Sequence, residues 1–507
     1  MKKILFFLAV IFGFSASVEA ERVLVVGDSI TAQSNQNWGF TPIVRHALAE
    51  TGVSDVQFVP LGWSGQTISG WIPVVANSYT QENLHGDRAE ILFKQEFDLG
   101  ADTILIFLGM NDALCPTVEA TEAGYAQWKA DYCTLIDALR KRVPSFKRLL
   151  LCPPTMLTEN PYAFKNQMMD RMGQIMTEVA KEKNAEILDF RGEIKRFFLN
   201  ARLQNNSFHF TPDCVHPQGD GHKVMAWTIL KAIGQDAAAA RVYETIPAWI
   251  RDFSAPGMSL FVFNSSETGR MQLRGHLRGA AKSSLEVVCP EGWKLDEIRD
   301  LPGDEFEICL SGHSAALTSE LTVKAGEIVR TIKLNAPFFV SPCLDGKPFN
   351  GGDGYDPAAT RTSLDDEILA GKDPLTAQLN GQPIPWTVYY PQADVTGFDV
   401  PCAIDFSSVQ NGFKFQTAYV VRKVTSPKAQ TVTLKINALS FSTMAFPTIY
   451  VNGKQVYENC VSPRHKTACD SVQIELKEGE NVLSARVGHF MWQWAVEFAL
   501  EGENLTY

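Results

Sequence analysis

Along the first half of the chain, short apolar runs alternate with longer segments whose apolar residues recur every three or four positions. The runs lie at 23–26, 56–59, 103–108, 149–151 and 187–190 and are rich in Val, Ile and Leu. Runs that stay apolar at consecutive positions suit strands covered on both faces, as in a parallel sheet. Helical spacing fills 41–50, 88–97, 125–142, 163–183 and 221–233. Strand followed by helix, repeated about five times, predicts a doubly wound α/β domain over residues 21–240.

Beyond residue 240 the helical period gives way to period two and turn signals. Runs at 259–263, 284–288, 306–310, 321–323 and 328–334 predict a small all-β sandwich of immunoglobulin-like type over 241–336. Residues 337–385 are rich in Pro, Gly and Asp and read as loops and a linker. Strands resume at Trp386. Residues 448–457 hold Asn452-Gly453 between two alternating runs, a hairpin signal, and 471–487 read as a second hairpin. The stretch 492–500 alternates like a last strand. Residues 337–507 are expected to form a jelly-roll-like β-sandwich, similar in pattern to carbohydrate-binding modules. The fold class is thus α/β followed by two all-β sandwiches.

The first 20 residues stand apart. Lys2 and Lys3 precede an apolar run at 4–14, and Val18-Glu19-Ala20 closes it with small residues. This reads as a secretory signal peptide cut after Ala20, and the mature chain is expected to be exported, periplasmic or secreted, without a membrane anchor. Export bears on the cysteines. There are 10, falling four, two and four in the three proposed domains, which suggests disulfides. Local pairs 115–133, 289–309 and 460–469 are one arrangement; sequence alone does not fix the connectivity, and free thiols are the alternative. The net charge of −11 leaves no excess of basic residues to neutralise phosphates, so nucleic acid is not an expected partner.

Four short segments carry the candidate chemistry. Gly27-Asp28-Ser29-Ile30 follows the first apolar run, Gly62-Trp63-Ser64-Gly65-Gln66-Thr67 the second and Gly109-Met110-Asn111-Asp112 the third; Asp213-Cys214-Val215-His216-Pro217 precedes the last helix. In an open parallel sheet the ligand crevice lies outside the carboxyl ends of the strands. That rule gathers the first three segments at one edge, and the fourth can reach it. Each segment alone has a plainer reading: a helix cap, loop glycines, a turn, a chance Asp-x-x-His. Together they match acyl transfer. Ser29 is the candidate nucleophile, His216 its base and Asp213 the group that orients the imidazole. The amides of Ser29 and Gly65 and the side chain of Asn111 can form an oxyanion hole. Asp28 and Asp112 are expected to be structural, and His209, close to the fourth segment, structural or at the substrate's edge rather than catalytic.

These segments, in this order and with the D-x-x-H spacing, resemble the Ser, Gly, Asn and His blocks of the SGNH (GDSL-type) hydrolase superfamily, with Gly-Asp-Ser-Ile in place of Gly-Asp-Ser-Leu. The resemblance covers residues 21–240 and implies a flavodoxin-like sheet and a serine esterase. It implies the same roles for Ser29, Gly65, Asn111, Asp213 and His216, and needs no cofactor or metal. Trp38, Trp63 and Trp71 follow the first two blocks and are candidate substrate contacts, with core packing the competing reading. The third domain's Trp386, Trp492 and Trp494 are read first as core and second as a glycan platform. The expected substrate is an O-acylated, chiefly O-acetylated, carbohydrate. The alternatives are a lipase- or lysophospholipase-like acylhydrolase, and an inactive glycan-binding scaffold. A neutral imidazole base predicts activity that falls as pH drops through roughly 6–7.

Overall fold

The structure is a computed structural model that describes residues 21–77, 89–114, 117–211, 213–263, 269–345, 361–379, 381–391, 403–406, 409, 416–437, 445–458, 469–489 and 494–507. Residues 1–20, the expected signal peptide, lie outside them. The first domain is a five-stranded parallel sheet: β1 (Glu21–Gly27), β2 (Val56–Gly62), β3 (Thr103–Phe107), β4 (Arg148–Leu151) and β5 (Glu186–Ile187). Its order is β2-β1-β3-β4-β5. The order reverses between β1 and β3, which opens a crevice at their carboxyl ends. Val23 to Val26 and Ile104 to Ile106 are fully buried, as strands in the middle of a covered sheet must be.

Helices cover both faces: α1 (Ser29–Gln33), α2 (Phe40–Glu50), α3 (Ile68–Ala76), α4 (Ala89–Asp98), α5 (Met110–Leu114), α6 (Glu122–Arg142), α7 (Phe164–Glu182), α8 (Phe190–Gln204), α9 (Asp220–Ala232), α10 (Asp236–Thr245) and α11 (Ala248–Arg251). The longest, α6, shows why such segments fold as helices. Thr121 caps it by accepting from the Gly124 amide at 3.1 Å. Glu122 sits in the first turn and Arg140, Lys141 and Arg142 in the last, complementing the helix dipole. Its buried residues Tyr125, Trp128, Tyr132, Leu135, Ile136 and Leu139 form one stripe against the core.

Three expectations for this domain change. The apolar run at 187–190 is strand only to Ile187; Asp189 accepts from the Gly192 amide and starts α8 at Phe190. Asn111 lies in the short helix α5 rather than a bare turn. Helical structure does not stop near 240: α10 and α11 follow, and Ala238, Val242, Ile246 and Ile250 join the core of the α/β domain.

The second domain pairs β6 (Gly257–Phe263), β7 (Arg270–Arg278), β10 (Glu305–Gly312) and β9 (Trp293–Asp300) in one sheet. The facing sheet holds β12 (Ile328–Asn335), β11 (Thr318–Ala325) and β8 (Leu285–Val288). Inward residues such as Leu260, Leu273, Ile308, Leu321 and Ile332 fill the space between them. The expected 289–309 disulfide is absent, and both thiols are free. Cys289 packs toward this core, whereas Cys309 alternates with Ile308 and Leu310 and so faces the other side of its sheet. Cys133 is also a free thiol, beside Glu182 at 3.7 Å; Cys115 and Cys460, the other ends of the remaining expected pairs, lie outside the described residues.

The third domain is a second antiparallel sandwich. One sheet runs through Thr387–Tyr389, Phe338–Val340, Gln416–Ser426, Gly479–His489, Ala445–Val451 and Lys454–Glu458; the other runs through Ala403–Asp405, Ala495–Glu501, Gln430–Asn437 and Cys469–Leu476. The Asn452-Gly453 turn has φ of 49° and 80°, as a type I′ hairpin requires. The other expected hairpin is not one. Cys469–Leu476 pairs with Gln430–Asn437, and Gly479–His489 pairs in the opposite sheet, so the chain turns a corner between sheets. The presumed linker contributes the strand Phe338–Val340 and the capped helix Ser363–Leu369. Val388 and Tyr390 complete the core of the second domain while Tyr389 between them enters that of the third.

The second domain is bonded to the first. Arg330 donates to the carbonyls of Met258 and Leu203, both at 2.7 Å, and Asn160 donates to the Val262 carbonyl at 2.8 Å. The Tyr162 hydroxyl lies 2.6 Å from His276 Nε2.

Candidate active site

The turn after β1 places Ser29 at the start of α1. Asp28 caps that helix, its Oδ1 accepting from the Ile30 amide at 2.9 Å. α1 lies against β2 because residue 62 is glycine: a β-carbon there would fall 2.0 Å from the Ala32 amide nitrogen. Three residues on, Gly65 has φ of 77°, a left-handed conformation natural to glycine. Asn111, buried on α5, donates through Nδ2 to the Gln66 carbonyl at 3.0 Å. The second and third segments are thereby tied together.

The fourth segment meets the first. His216 Nε2 lies 2.7 Å from Ser29 Oγ, and His216 Nδ1 lies 2.6 Å from Asp213 Oδ2. The other Asp213 oxygen accepts from the amides of Val215 at 3.0 Å and His216 at 2.7 Å. Burial alone pushes the Asp213 carboxyl up, but the hydrogen bond and charge of His216, with those two amides, hold it below the usual carboxylate range. Ser29, His216 and Asp213 therefore form one hydrogen-bonded line, while Asn111 sits on α5 and Gly65 on the loop after β2.

Two further carboxyls are buried here. Burial pushes Asp28 up to about 6, against the opposing Ile30 amide and His216. Burial likewise pushes Asp112 up to about 7, although it accepts from the Ile68 amide at 3.3 Å and Trp128 Nε1 at 3.2 Å. Asp112 so binds its proton more tightly folded than unfolded between pH 4 and 7. The stability this contributes is fully present below pH 4 and lost as pH rises through about 7. Asp112→Asn keeps an acceptor and cannot ionise. Its unfolding free energy, relative to the parent, is expected to be more favourable at pH 8 than at pH 5. Urea unfolding of both proteins at the two pH values reads this directly; an identical difference at both would show that Asp112 titrates normally.

Of the candidate substrate contacts, Trp71 is corrected. It is fully buried and donates through Nε1 to the Gly27 carbonyl at 3.1 Å, so it belongs to the core. Trp63 is half-buried and meets Trp71 edge-on at 6.1 Å; Trp38 is half-buried and meets His222 edge-on at 5.0 Å. In the third domain Trp494 is buried and stacked on Phe406 at 4.3 Å, Trp386 packs against the cluster around Leu364 and Ile368, and Trp492 lies outside the described residues.

Sequence reasoning missed two buried groups behind the site. His222 on α9 accepts through Nδ1 from the Phe40 amide at 3.1 Å, and burial lowers it to about 4, so it is neutral at neutral pH. Glu159 is fully buried beneath the segment that carries Asp213 and His216; its Oε2 lies 3.9 Å from Arg202 and 4.0 Å from His209. Burial raises Glu159 to about 7, with Arg202 and Thr211 opposing. Neither residue belongs to a motif. The one sequence signal is that His222 lies a few residues after His216; Glu159 has none.

Residues 25–224 match the model of the GDSL-like lipase/acylhydrolase family. Solved structures similar to the chain include an acetyl xylan esterase, AlAXEase, 21% identical over 42% of this chain and 99% of that one, with a TM-score of 0.33. They also include the acetylxylan esterase Axe2 from Geobacillus stearothermophilus, 21% identical over 43% of this chain and 95% of its own, with a TM-score of 0.32. A third is LAE5, an alpha/beta hydrolase from the metagenome of Lake Arreo, Spain, 21% identical over 43% of this chain and 97% of that one, with a TM-score of 0.32. No curated protein matches the chain.

Proposed function

We propose, from residues 25–224 belonging to the GDSL-like lipase/acylhydrolase family and the protein thus being a carboxylic ester hydrolase, that it is an exported serine esterase that removes acyl groups, chiefly acetyl, from a carbohydrate. The observation that carries the mechanism is the unbroken line from Ser29 Oγ through His216 to Asp213, with contacts of 2.7 and 2.6 Å. His216 Nε2 takes the Ser29 proton as Oγ attacks the ester carbonyl. The imidazolium then gives that proton to the departing sugar oxygen, leaving acetyl on Ser29. Water repeats the sequence, with His216 as base, and releases acetate. Asp213 holds the Nδ1 proton throughout, which keeps Nε2 available as acceptor.

The negative charge that develops on the carbonyl oxygen needs fixed donors. The Ser29 and Gly65 amides and the Asn111 side chain supply them in this reading. One Asn111 N–H is held by the Gln66 carbonyl, which fixes the amide plane and leaves the second hydrogen for the oxyanion. Asn111→Ala is expected to lower kcat by about 10²- to 10³-fold with little change in KM, the usual cost of losing one such donor. Steady-state kinetics on p-nitrophenyl acetate measures it. A loss below threefold removes Asn111 from the mechanism.

The carbohydrate reading is supported by the two appended sandwiches and by Trp38 and Trp63, which follow the first two site segments in the chain and are only half-buried. A series of p-nitrophenyl esters of rising chain length, run beside acetylated xylan, tests it. Acetyl is expected to be fastest, with free acetate released from the polysaccharide. Preference for chains beyond about eight carbons, without release from xylan, would instead identify a lipase-like acylhydrolase.

A further inference from the structure

The segment bearing Asp213 and His216 is not part of a helix or a strand, yet it must hold the imidazole within hydrogen-bond reach of Ser29. Part of its shape is internal. Asp213 Oδ1 closes the turn on the Val215 and His216 amides, and the Cys214 amide donates to the Thr211 carbonyl at 2.8 Å. Cys214 takes a φ of 67°, a conformation that a residue with a side chain adopts only when its surroundings enforce it.

The enforcement comes from the loop after β4. There Thr158 also has a left-handed φ, 62°, and its amide donates to the Cys214 carbonyl at 2.7 Å. The next residue, Glu159, turns its carboxyl under the same segment. Its Oε1 accepts the Thr211 amide at 2.7 Å and also the Thr211 hydroxyl. Two consecutive residues thus grip the segment at two points: one shortly before Asp213, the other between Asp213 and His216.

The grip is anchored. Asn166 on α7 accepts from the Leu157 amide at 3.1 Å and donates to the carbonyls of Leu157 and Asn160, both at 2.6 Å. Asn160 and Tyr162 bond to β6 and β7 of the second domain. The support runs from the sandwich, through this loop, to the histidine.

We propose that Glu159 is a positioning residue for the esterase reaction, holding through Thr211 the backbone that aims His216 at Ser29. The proposal rests on the triad reading given above. It assigns the second domain a share in catalysis as the fixed end of the brace. What matters is an acceptor at Oε1, not a charge.

The test uses the full chain and four variants, with kcat and KM on p-nitrophenyl acetate and circular dichroism to confirm folding. Glu159→Ala removes the acceptor and is expected to lower kcat by about 10²-fold at unchanged KM, the cost of misplacing a catalytic group by about 1 Å. Glu159→Gln restores the acceptor and is expected to recover kcat to within about threefold of the parent. Thr211→Val removes only the hydroxyl and is expected to cost about tenfold in kcat. It decides the matter if Glu159→Ala does not fold. Parental kcat in Thr211→Val and in folded Glu159→Ala overturns the proposal, as does a change in KM instead of kcat. Equal impairment of folded Glu159→Gln and Glu159→Ala overturns it too, because the charge would then be what counts. Ser29→Ala is the separate control. If it retains parental turnover, the triad reading falls and this proposal with it; if it is inactive while the other variants are unimpaired, only the present proposal falls.

Discussion

Ser29→Ala lowers kcat on p-nitrophenyl acetate by about 10⁴- to 10⁶-fold while the protein unfolds at the same temperature as the parent. The magnitude is that of removing the nucleophile from a serine triad, where the remaining donors still give a residual rate over water. The size of the effect follows from the geometry. Ser29 is almost buried at the start of α1, and its hydroxyl contacts His216 at 2.7 Å. No other hydroxyl is bonded to His216 Nε2 among the described residues, so no neighbour can take over the attack. Folding is expected to be indifferent because the α1 cap belongs to Asp28, not to Ser29. The measurement pairs kinetics with a thermal melt. An active Ser29→Ala would refute the covalent mechanism outright. A matched loss of activity and melting temperature would mean that the residue serves the fold.

How much of this was legible in the sequence depends on how local each cause is. The centres of β1, β3 and β4 were legible because a strand buried on both faces must be apolar at successive positions, whereas β2, at the sheet edge with Gln57 exposed, carries that signal only in part. The fifth run misled because apolar Leu188 and Phe190 flank Asp189, whose side chain already caps α8 and ends the strand at Ile187. α3 was hidden by Pro73 in its interior, a residue that ordinarily argues against helix. The corner between Cys469–Leu476 and Gly479–His489 could not be told from a hairpin, because both need two alternating runs and a turn, and only the partner strands distinguish them. Ser29, Gly65, Asn111, Asp213 and His216 stood out because acyl transfer demands particular residue types and parallel sheets gather them at one edge. Glu159 did not. An acidic residue in a polar loop ordinarily reads as solvated, and its burial is a consequence of three elements meeting over it. The thiols failed for the same reason: an even count says nothing about which face of a sheet each occupies.

The second large effect expected is at Asp213. Asp213→Asn lowers kcat by about 10⁴-fold at nearly constant KM, the loss seen when a triad acid becomes an amide. The side chain has two jobs, one for each oxygen. Oδ2 receives the His216 Nδ1 proton at 2.6 Å, and Oδ1 receives the Val215 and His216 amides at 3.0 and 2.7 Å. Asparagine has a single oxygen and can do only one of them. If that oxygen stays on the two backbone amides, the NH₂ group faces Nδ1. The imidazole must then accept there and carry its proton on Nε2, where it cannot take one from Ser29. If the amide flips, its NH₂ opposes two backbone N–H groups and the turn opens. Either way the base is lost while the oxyanion donors and the crevice remain, so kcat falls and KM does not. Asp213→Ala, which frees Nδ1 but abandons the turn, should be at least as slow. A drop of less than tenfold in Asp213→Asn would show that His216 is oriented by some other group, and the brace from Glu159 and Thr158 would be the first place to look.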